Sequence, residues 1–356
     1  MTKRTFLTLT LLMMLVLAVS VTLAQDAPET EVQFIELAGF ASERDAEISS
    51  LAWYGDNLLL VTENPFIYVE GSYADDIPGA RAYSGMFFKL HKDDILAYLA
   101  ADEPAPLEPI PVPIISPDIR GAVSGFVVSF DGFEGAAFAD DSVYLLIEAD
   151  TTDEDDPTMR AFLVGGTVTG DLDTITLDLE NFASIPRQTD FNNMSYESLF
   201  VAGDRLVAVY EANGAGVNME PAAYAVDFDL SSVEPILFPN VEYRVTDTTA
   251  LDADGVFWVV NYFFVGEDFL AAEEDPIFDQ WGMGASQAEF DGFERLVAFQ
   301  YGEDGITMVD TAPIQLLMTE DSSGRNWEGI ARLDDAGLLV VTDRFPVTLL
   351  GFVPFE

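Results

Sequence analysis

Short apolar runs, rich in β-branched and aromatic residues and separated by Asp/Gly turns, dominate the chain beyond residue 30. This alternation predicts strands rather than helices. Five segments share one template. Each opens on a polar residue and a small residue, then passes through an apolar strand, an Asp/Gly turn, a second apolar strand and a closing polar residue. They run from Ser49 to Glu63, Glu134 to Glu148, Glu197 to Glu211, Thr248 to Asn261 and Glu328 to Asp343. Opening and closing residues stand 13 to 15 positions apart in all five, a spacing that chance alternation would not hold. A third, aromatic-rich run follows each segment, at residues 85–90, 160–164, 223–228, 295–301 and 348–355. A fourth follows most of them, at 109–115, 175–185, 235–244 and 308–317.

Four antiparallel strands per repeat make a propeller blade. The expected fold is therefore all-β, a five-bladed β-propeller of four-stranded blades. The chain ends after the third strand of the fifth repeat. Residues 31–40 near the N-terminus can supply the missing fourth strand, closing the ring and covering an edge that would invite aggregation. Six blades are the alternative count, with a degenerate blade between Glu63 and Glu134. Three stretches read as insertions: 66–84, 92–102 and 267–291. The second predicts a short helix with Ile95, Leu96 and Leu99 on one face.

The first 24 residues have a different pattern. Lys3 and Arg4 precede an apolar run over 6–21, and Thr22-Leu23-Ala24 offers small residues before Gln25. This is the pattern of an export signal cut after Ala24, with secretion or a periplasmic location as its consequence. The alternative is an uncleaved membrane anchor. A lipoprotein anchor is excluded because no Cys follows. No later segment has the roughly 18 uncharged apolar residues of a spanning helix. Residues 25–356 are expected to form one domain and a monomer.

Composition narrows the chemistry. The 356 residues hold 63 Asp and Glu against 15 Lys and Arg, a formal charge of −48, with no Cys and one histidine, His91. Disulfides, thiolate nucleophiles and Cys- or His-rich metal sites are excluded. Nucleic acid is an unsuitable partner, since phosphate contacts need excess Lys and Arg. The chain is nevertheless 49% hydrophobic, enough to bury a large core beneath an acidic surface. Such a surface attracts cations and suits a salty or calcium-rich setting.

In a propeller the first strand of each blade lines the central channel, and the second runs back beside it. The opening residues Ser49, Glu134, Glu197, Thr248 and Glu328 should then ring one channel mouth. The closing residues Glu63, Glu148, Glu211, Asn261 and Asp343 should form a wider ring near them. Two carboxylates about 4 Å apart repel by roughly 4 kcal/mol at an effective dielectric near 20. Protons, arginines or a metal ion must offset this. Oxygen ligands without His or Cys select Ca²⁺ or Mg²⁺, and a ring of flexible side chains suits Ca²⁺ better. The competing reading is that the inner ring simply hydrogen-bonds neighbouring blades or channel water.

The segments Gly132-Phe133-Glu134-Gly135-Ala136 and Asn326-Trp327-Glu328-Gly329-Ile330-Ala331 resemble the repeats of exported phytase-like propellers, the family described as having esterase-like activity of phytase. The order Ser, Glu, Glu, Thr, Glu around the inner ring is also similar to that of five-bladed calcium-activated nucleotidases (apyrases). That resemblance implies a central calcium held by Ser49, Glu134, Glu197, Thr248 and Glu328. It covers the five repeat cores. The sequence also departs from these families. The acidic DDPA-type motif of six-bladed alkaline phytases is missing. Asn192-Asn193-Met194 matches only part of their second motif. Glu63-Asn64-Pro65 stands where the nucleotidases carry an Asp-Arg pair.

A small anionic or ester substrate would need arginine at the mouth. By position the candidates are Arg344, Arg325 and Arg187. The expected function is hydrolysis of a small phosphoester or ester, with Glu63, Glu148 or Glu211 as general base and Arg344 stabilising developing charge. The alternatives are a non-catalytic propeller that binds a ligand, polysaccharide or protein, and a structural envelope protein. His91 is expected at the surface. The acidic run 152–156 lacks the spacing of an EF-hand and reads as a solvated turn.

Overall fold

The computed structural model describes residues 27–124, 129–150, 159–191, 193–264, 266–290, 292–318, 324–344 and 347–355. The export signal and the acidic run 152–156 lie outside these residues. Two short strands come first, β1 (Glu29–Thr30) and β2 (Gln33–Ile35). Four-stranded antiparallel meanders follow. The first is β3 (Ile48–Tyr54), β4 (Asn57–Thr62), β5 (Gly85–His91) and β6 (Ile110–Ile115). The second is β7 (Ser129–Ala139), β8 (Ser142–Asp150), β9 (Met159–Thr169) and β10 (Thr174–Ile185). The third is β11 (Tyr196–Ala202), β12 (Arg205–Tyr210), β13 (Ala222–Asp227) and β14 (Val233–Leu237). The next comprises β15 (Arg244–Thr248), β16 (Val256–Phe263), β17 (Phe293–Gly302), β18 (Gly305–Met308) and β19 (Ile314–Leu316). The last is β20 (Trp327–Leu333), β21 (Gly337–Thr342) and β22 (Leu350–Pro354).

The innermost strands touch in the order β3, β7, β11, β15, β20 and back to β3, so they encircle one axis. Their neighbours β4, β8, β12 and β21 are almost wholly buried. This is why they read as continuous apolar runs such as Leu58–Val61 rather than as alternating patterns. Outer strands such as β14 face water and carry the polar positions. Tight turns join the first two strands: Gly55, Asp140 and Gly203 adopt positive φ there, which explains the recurring Gly and Asp. Small residues let the inner strands converge. A Cβ at Gly329 would meet the Val341 side chain at 2.5 Å and the Ser50 backbone at 3.1 Å.

The N-terminal segment completes the last meander as expected, but over fewer residues. Strand β2 pairs antiparallel with β22 through Gln33–Phe352, Phe34–Gly351 and Ile35–Leu350. Beyond it, the chain turns into a 3-10 helix at Gly39–Ser42. Deleting residues 27–36 is expected to expose the edge of β22 and produce aggregates in size-exclusion chromatography. Unchanged monomeric elution would contradict this role for β2.

The helix expected at 92–102 spans Lys92–Ala100, with the His91 side chain capping it by accepting from the Asp93 N–H at 3.2 Å. Ile95 is buried and Leu99 packs on the core, but Leu96 is exposed. The apolar face is thus narrower than expected, because a nine-residue helix lying on β5 buries only one turn-to-turn stripe. Among the described residues no helix is long and apolar enough to cross a membrane.

Candidate functional site

A shared irregularity positions the inner-ring side chains. In each of the five inner hairpins the register slips by one residue near the start of the first strand. The residues left unpaired are Ser49, Glu134, Glu197, Asp247 and Glu328. A bulge re-aims its extra side chain, and here it does so five times around one axis. Thr248, expected in this ring, lies one residue beyond the bulge. It borders a separate depression formed by the opposite ends of the inner strands, together with Leu51, Ala137, Phe200 and Ala331. The correct residue was signalled by spacing: Asp247 precedes Asn261 by 14 positions, as Ser49 precedes Glu63, Glu134 precedes Glu148 and Glu197 precedes Glu211.

The five bulge residues divide into two groups. Ser49 and Asp247 bind the protein itself. The Ser49 hydroxyl donates to the Phe133 carbonyl at 2.5 Å. One Asp247 oxygen accepts from Ser50 Oγ at 3.1 Å, Leu51 N at 3.0 Å and Ile330 N at 3.0 Å; the other accepts from Thr248 N at 2.8 Å. Asp247 therefore ties three inner strands together. Burial pushes its carboxyl up to about 8, against the pull of these four donors. The hydrogen-bond reading of the inner ring holds for these two positions.

Glu134, Glu197 and Glu328 instead face a cavity of ≈ 330 Å³. Glu63, Asp131, Glu148, Glu267 and Asp343 also line it, with Arg44, Arg244 and Arg344 as the cationic side chains and Asn193, Phe264 and Asn326 between them. Glu63 and Glu134 crowd together over Gly132, where any Cβ would collide with both side chains. Of the outer ring, Glu63, Glu148 and Asp343 reach this cavity. Glu211 does not line it: it is fully buried and paired to Arg244. Asn261 donates to the Glu242 and Arg244 carbonyls and accepts from Arg295 Nε at 2.7 Å, so its role is structural.

Charge is only partly compensated. Arg244, which begins β15, is the buried one of the three arginines lining the cavity. It grips Glu267 through two nitrogens, lies 3.6 Å from Glu197, and contacts Glu211. Burial opposes its charge, but Tyr262, Glu267 and Glu197 raise its pKa further. The expected Arg344 is at the cavity rim, half exposed, against Glu47. Arg325 is elsewhere: it holds Glu294 at 2.7 Å beneath Trp327. Arg187 is paired with Asp190 at 3.1 Å and does not line the cavity.

Burial, followed by neighbouring carboxylates, pushes Glu63 up to about 8, with Asp343 and Glu47 the largest contributors among those carboxylates. Glu197 is raised to about 7 by burial, with Arg244 opposing the shift. Glu134, Glu148 and Glu328 are raised by burial and by neighbouring carboxylates. Asp343 and Asp131 are raised by burial. Glu148 Oε1, Glu197 Oε2 and Asp343 Oδ1 are buried without a hydrogen-bond donor among the described residues. Buried carboxylate oxygens without donors fit a hard cation in their donor chemistry. Among the described residues, however, no three acidic or histidine side chains are already gathered as a metal-binding group. A cation would have to draw these side chains closer together.

No family model and no curated protein matches the chain by sequence. The phytase-like resemblance therefore rests on its short motifs alone. Solved structures show likeness to the fold. An exo-1,5-α-L-arabinanase from a bovine ruminal metagenomic library aligns over 88% of this chain and 95% of its own, with TM-score 0.51 and 8% identity. A glycosyl hydrolase from Bacteroides ovatus aligns over 95% and 94%, with TM-score 0.47 and 8% identity. A glutaminyl cyclase from Myxococcus xanthus aligns over 92% and 100%, with TM-score 0.42 and 10% identity. At such identities likeness speaks to fold alone, and the chain is an all-β protein with a propeller-like arrangement of sheets.

Proposed function

We propose that this chain is an exported five-bladed β-propeller that binds calcium at its acidic channel mouth and hydrolyses a small phosphoester or ester there. The observation that carries the reading is the convergence, among the described residues, of eight carboxylates and three arginines on one cavity, with buried carboxylate oxygens that lack donors. Glu134, Glu197 and Glu328 would hold the cation from three inner strands, with Glu148 and Asp343 beside them. Bound calcium would supply Lewis-acid polarisation of a substrate oxygen.

The remaining roles belong to the chain's own groups. Glu63, raised to about 8, keeps its proton at neutral pH in the metal-free protein; a cation beside it would lower that value and free the carboxylate to accept a proton from water. Arg344 and Arg44 stand at the rim, where an anionic group would enter and where developing negative charge would need a donor. Arg244 and Glu211 act as a positioning pair behind Glu197.

The test combines calcium titration calorimetry with hydrolysis of p-nitrophenyl phosphate and p-nitrophenyl acetate. The wild type should bind Ca²⁺ and turn over at least one substrate, with activity removed by chelator. Glu197→Gln should lose both. Glu63→Gln should keep calcium and lose about 100-fold or more in kcat. Calcium binding without turnover would favour a ligand-binding propeller. Turnover that is indifferent to chelator would exclude the metal-assisted route.

A further inference from the structure

Beside the acidic cavity two large aromatic side chains remain open to water. Phe191 and Phe269 are 37% and 42% exposed and stack on each other with centroids 5.2 Å apart and planes 24° from parallel. They come from distant parts of the chain. Phe191 is two residues before Asn193 and Phe269 two residues after Glu267, and both of those residues line the cavity. Residues near each phenylalanine are packed against the core. Leu270, next to Phe269, packs in one apolar cluster with Met194, Tyr196 and Tyr210. Thr189, two residues before Phe191, is hydrogen-bonded to the Tyr210 hydroxyl at 2.7 Å. Residues close to both phenylalanines are thus anchored in the same packed region.

Phe269 itself lines a second cavity, of ≈ 510 Å³, which carries Glu242, Glu273 and Glu274 in its wall. Phe269 thus borders an acceptor-rich space. We infer that Phe191 and Phe269 form a subsite for a neutral sugar ring, the non-reacting part of the substrate; this builds on the hydrolase reading above. A sugar ring offers an apolar C–H face whose partial positive charge suits the negative face of an aromatic ring. Its edges carry hydroxyl donors, and Glu242, Glu273 and Glu274 can accept from them. A nucleobase fits less well, since its ring edge offers fewer hydroxyl donors to these three carboxylates.

The probes are cellotetraose, xylotetraose and adenosine, with binding read by saturation-transfer NMR on the full exported chain and calcium binding measured on the same samples. The oligosaccharide signal should appear with wild type, fall at least tenfold in Phe191→Ala and Phe269→Ala, and be retained in Phe269→Tyr. Calcium binding should not change in any of these variants. No oligosaccharide signal with wild type, a signal that survives the double alanine variant, or binding of adenosine alone would overturn the subsite. Sugar binding that depends on both phenylalanines, in a protein that neither binds calcium nor hydrolyses esters, would uphold the subsite and refute the hydrolase reading.

Discussion

Calcium-free protein is expected to lose stability as pH rises from about 5 to about 8.5, and added calcium to restore it. The sign follows from the buried acids. Glu63 is raised to about 8 and Glu197 to about 7, from ordinary values of 4.5, and Glu134, Glu148 and Glu328 move in the same direction. A group whose pKa is higher in the folded state binds its proton more tightly there. Its contribution is fully present below the unfolded value and disappears as pH rises through the folded one. The window is therefore about pH 4.5 to 8. Each tenfold change in proton affinity is worth about 1.4 kcal/mol, so the combined loss should be on the order of 3 kcal/mol or more. For a chain of this size that lowers the melting temperature by roughly 5–10 °C. Calcium at one hundred times its dissociation constant adds about 2.7 kcal/mol, and its effect should grow with pH as it replaces protons. Scanning calorimetry at pH 5, 7 and 8.5, with and without chelator, measures both. A melting temperature that is flat or rising with pH in chelator would show that these acids are not held protonated by the fold.

The second large effect is expected at Arg244. Replacing it with Met should destabilise the protein by about 3–5 kcal/mol in urea unfolding, the usual cost of stripping one partner from a buried charge cluster. Glu211 would be left fully buried without its cation, and Glu267 and Glu197 would lose theirs. Adding Glu211→Gln to Arg244→Met should recover part of that loss, because the orphaned charge is then gone. Arg344→Ala serves as the contrast. It faces Glu47 from a half-exposed position, where an ion pair contributes about 0–1 kcal/mol. Equal effects at the two arginines would mean that Arg244 is not the internal counter-charge described above.

These expectations rest on different kinds of information. The repeating strand pairs were legible because a strand buried on both faces has to be written as an unbroken apolar run. Their turns were legible because positive φ selects Gly and Asp. Glu134, Glu197 and Glu328 were legible for a related reason. A carboxylate that opens an apolar strand, at a fixed interval before a second acid, marks where the buried strand pair ends and a polar mouth begins. Asp247 was obscured by the run Thr246-Asp247-Thr248-Thr249, in which several polar residues compete for one place and only the bulge decides. Arg244 gave no signal, since one arginine at the start of a strand looks like any solvated strand end.

From residue order alone follow the all-β class, the pairing of strands near the two chain ends, the lack of any cysteine, and an acid-rich axis. Tertiary structure decided which acids share a cavity, that Ser49 and Asp247 bond neighbouring strands instead, that Glu211 is withdrawn behind Arg244, and that Phe191 and Phe269 meet beside the mouth. The division is physical. Periodicity, turn chemistry and charge are local properties that each segment carries by itself. Which oxygen lacks a donor, and which aromatic faces water, depends on residues far apart in the chain being packed together.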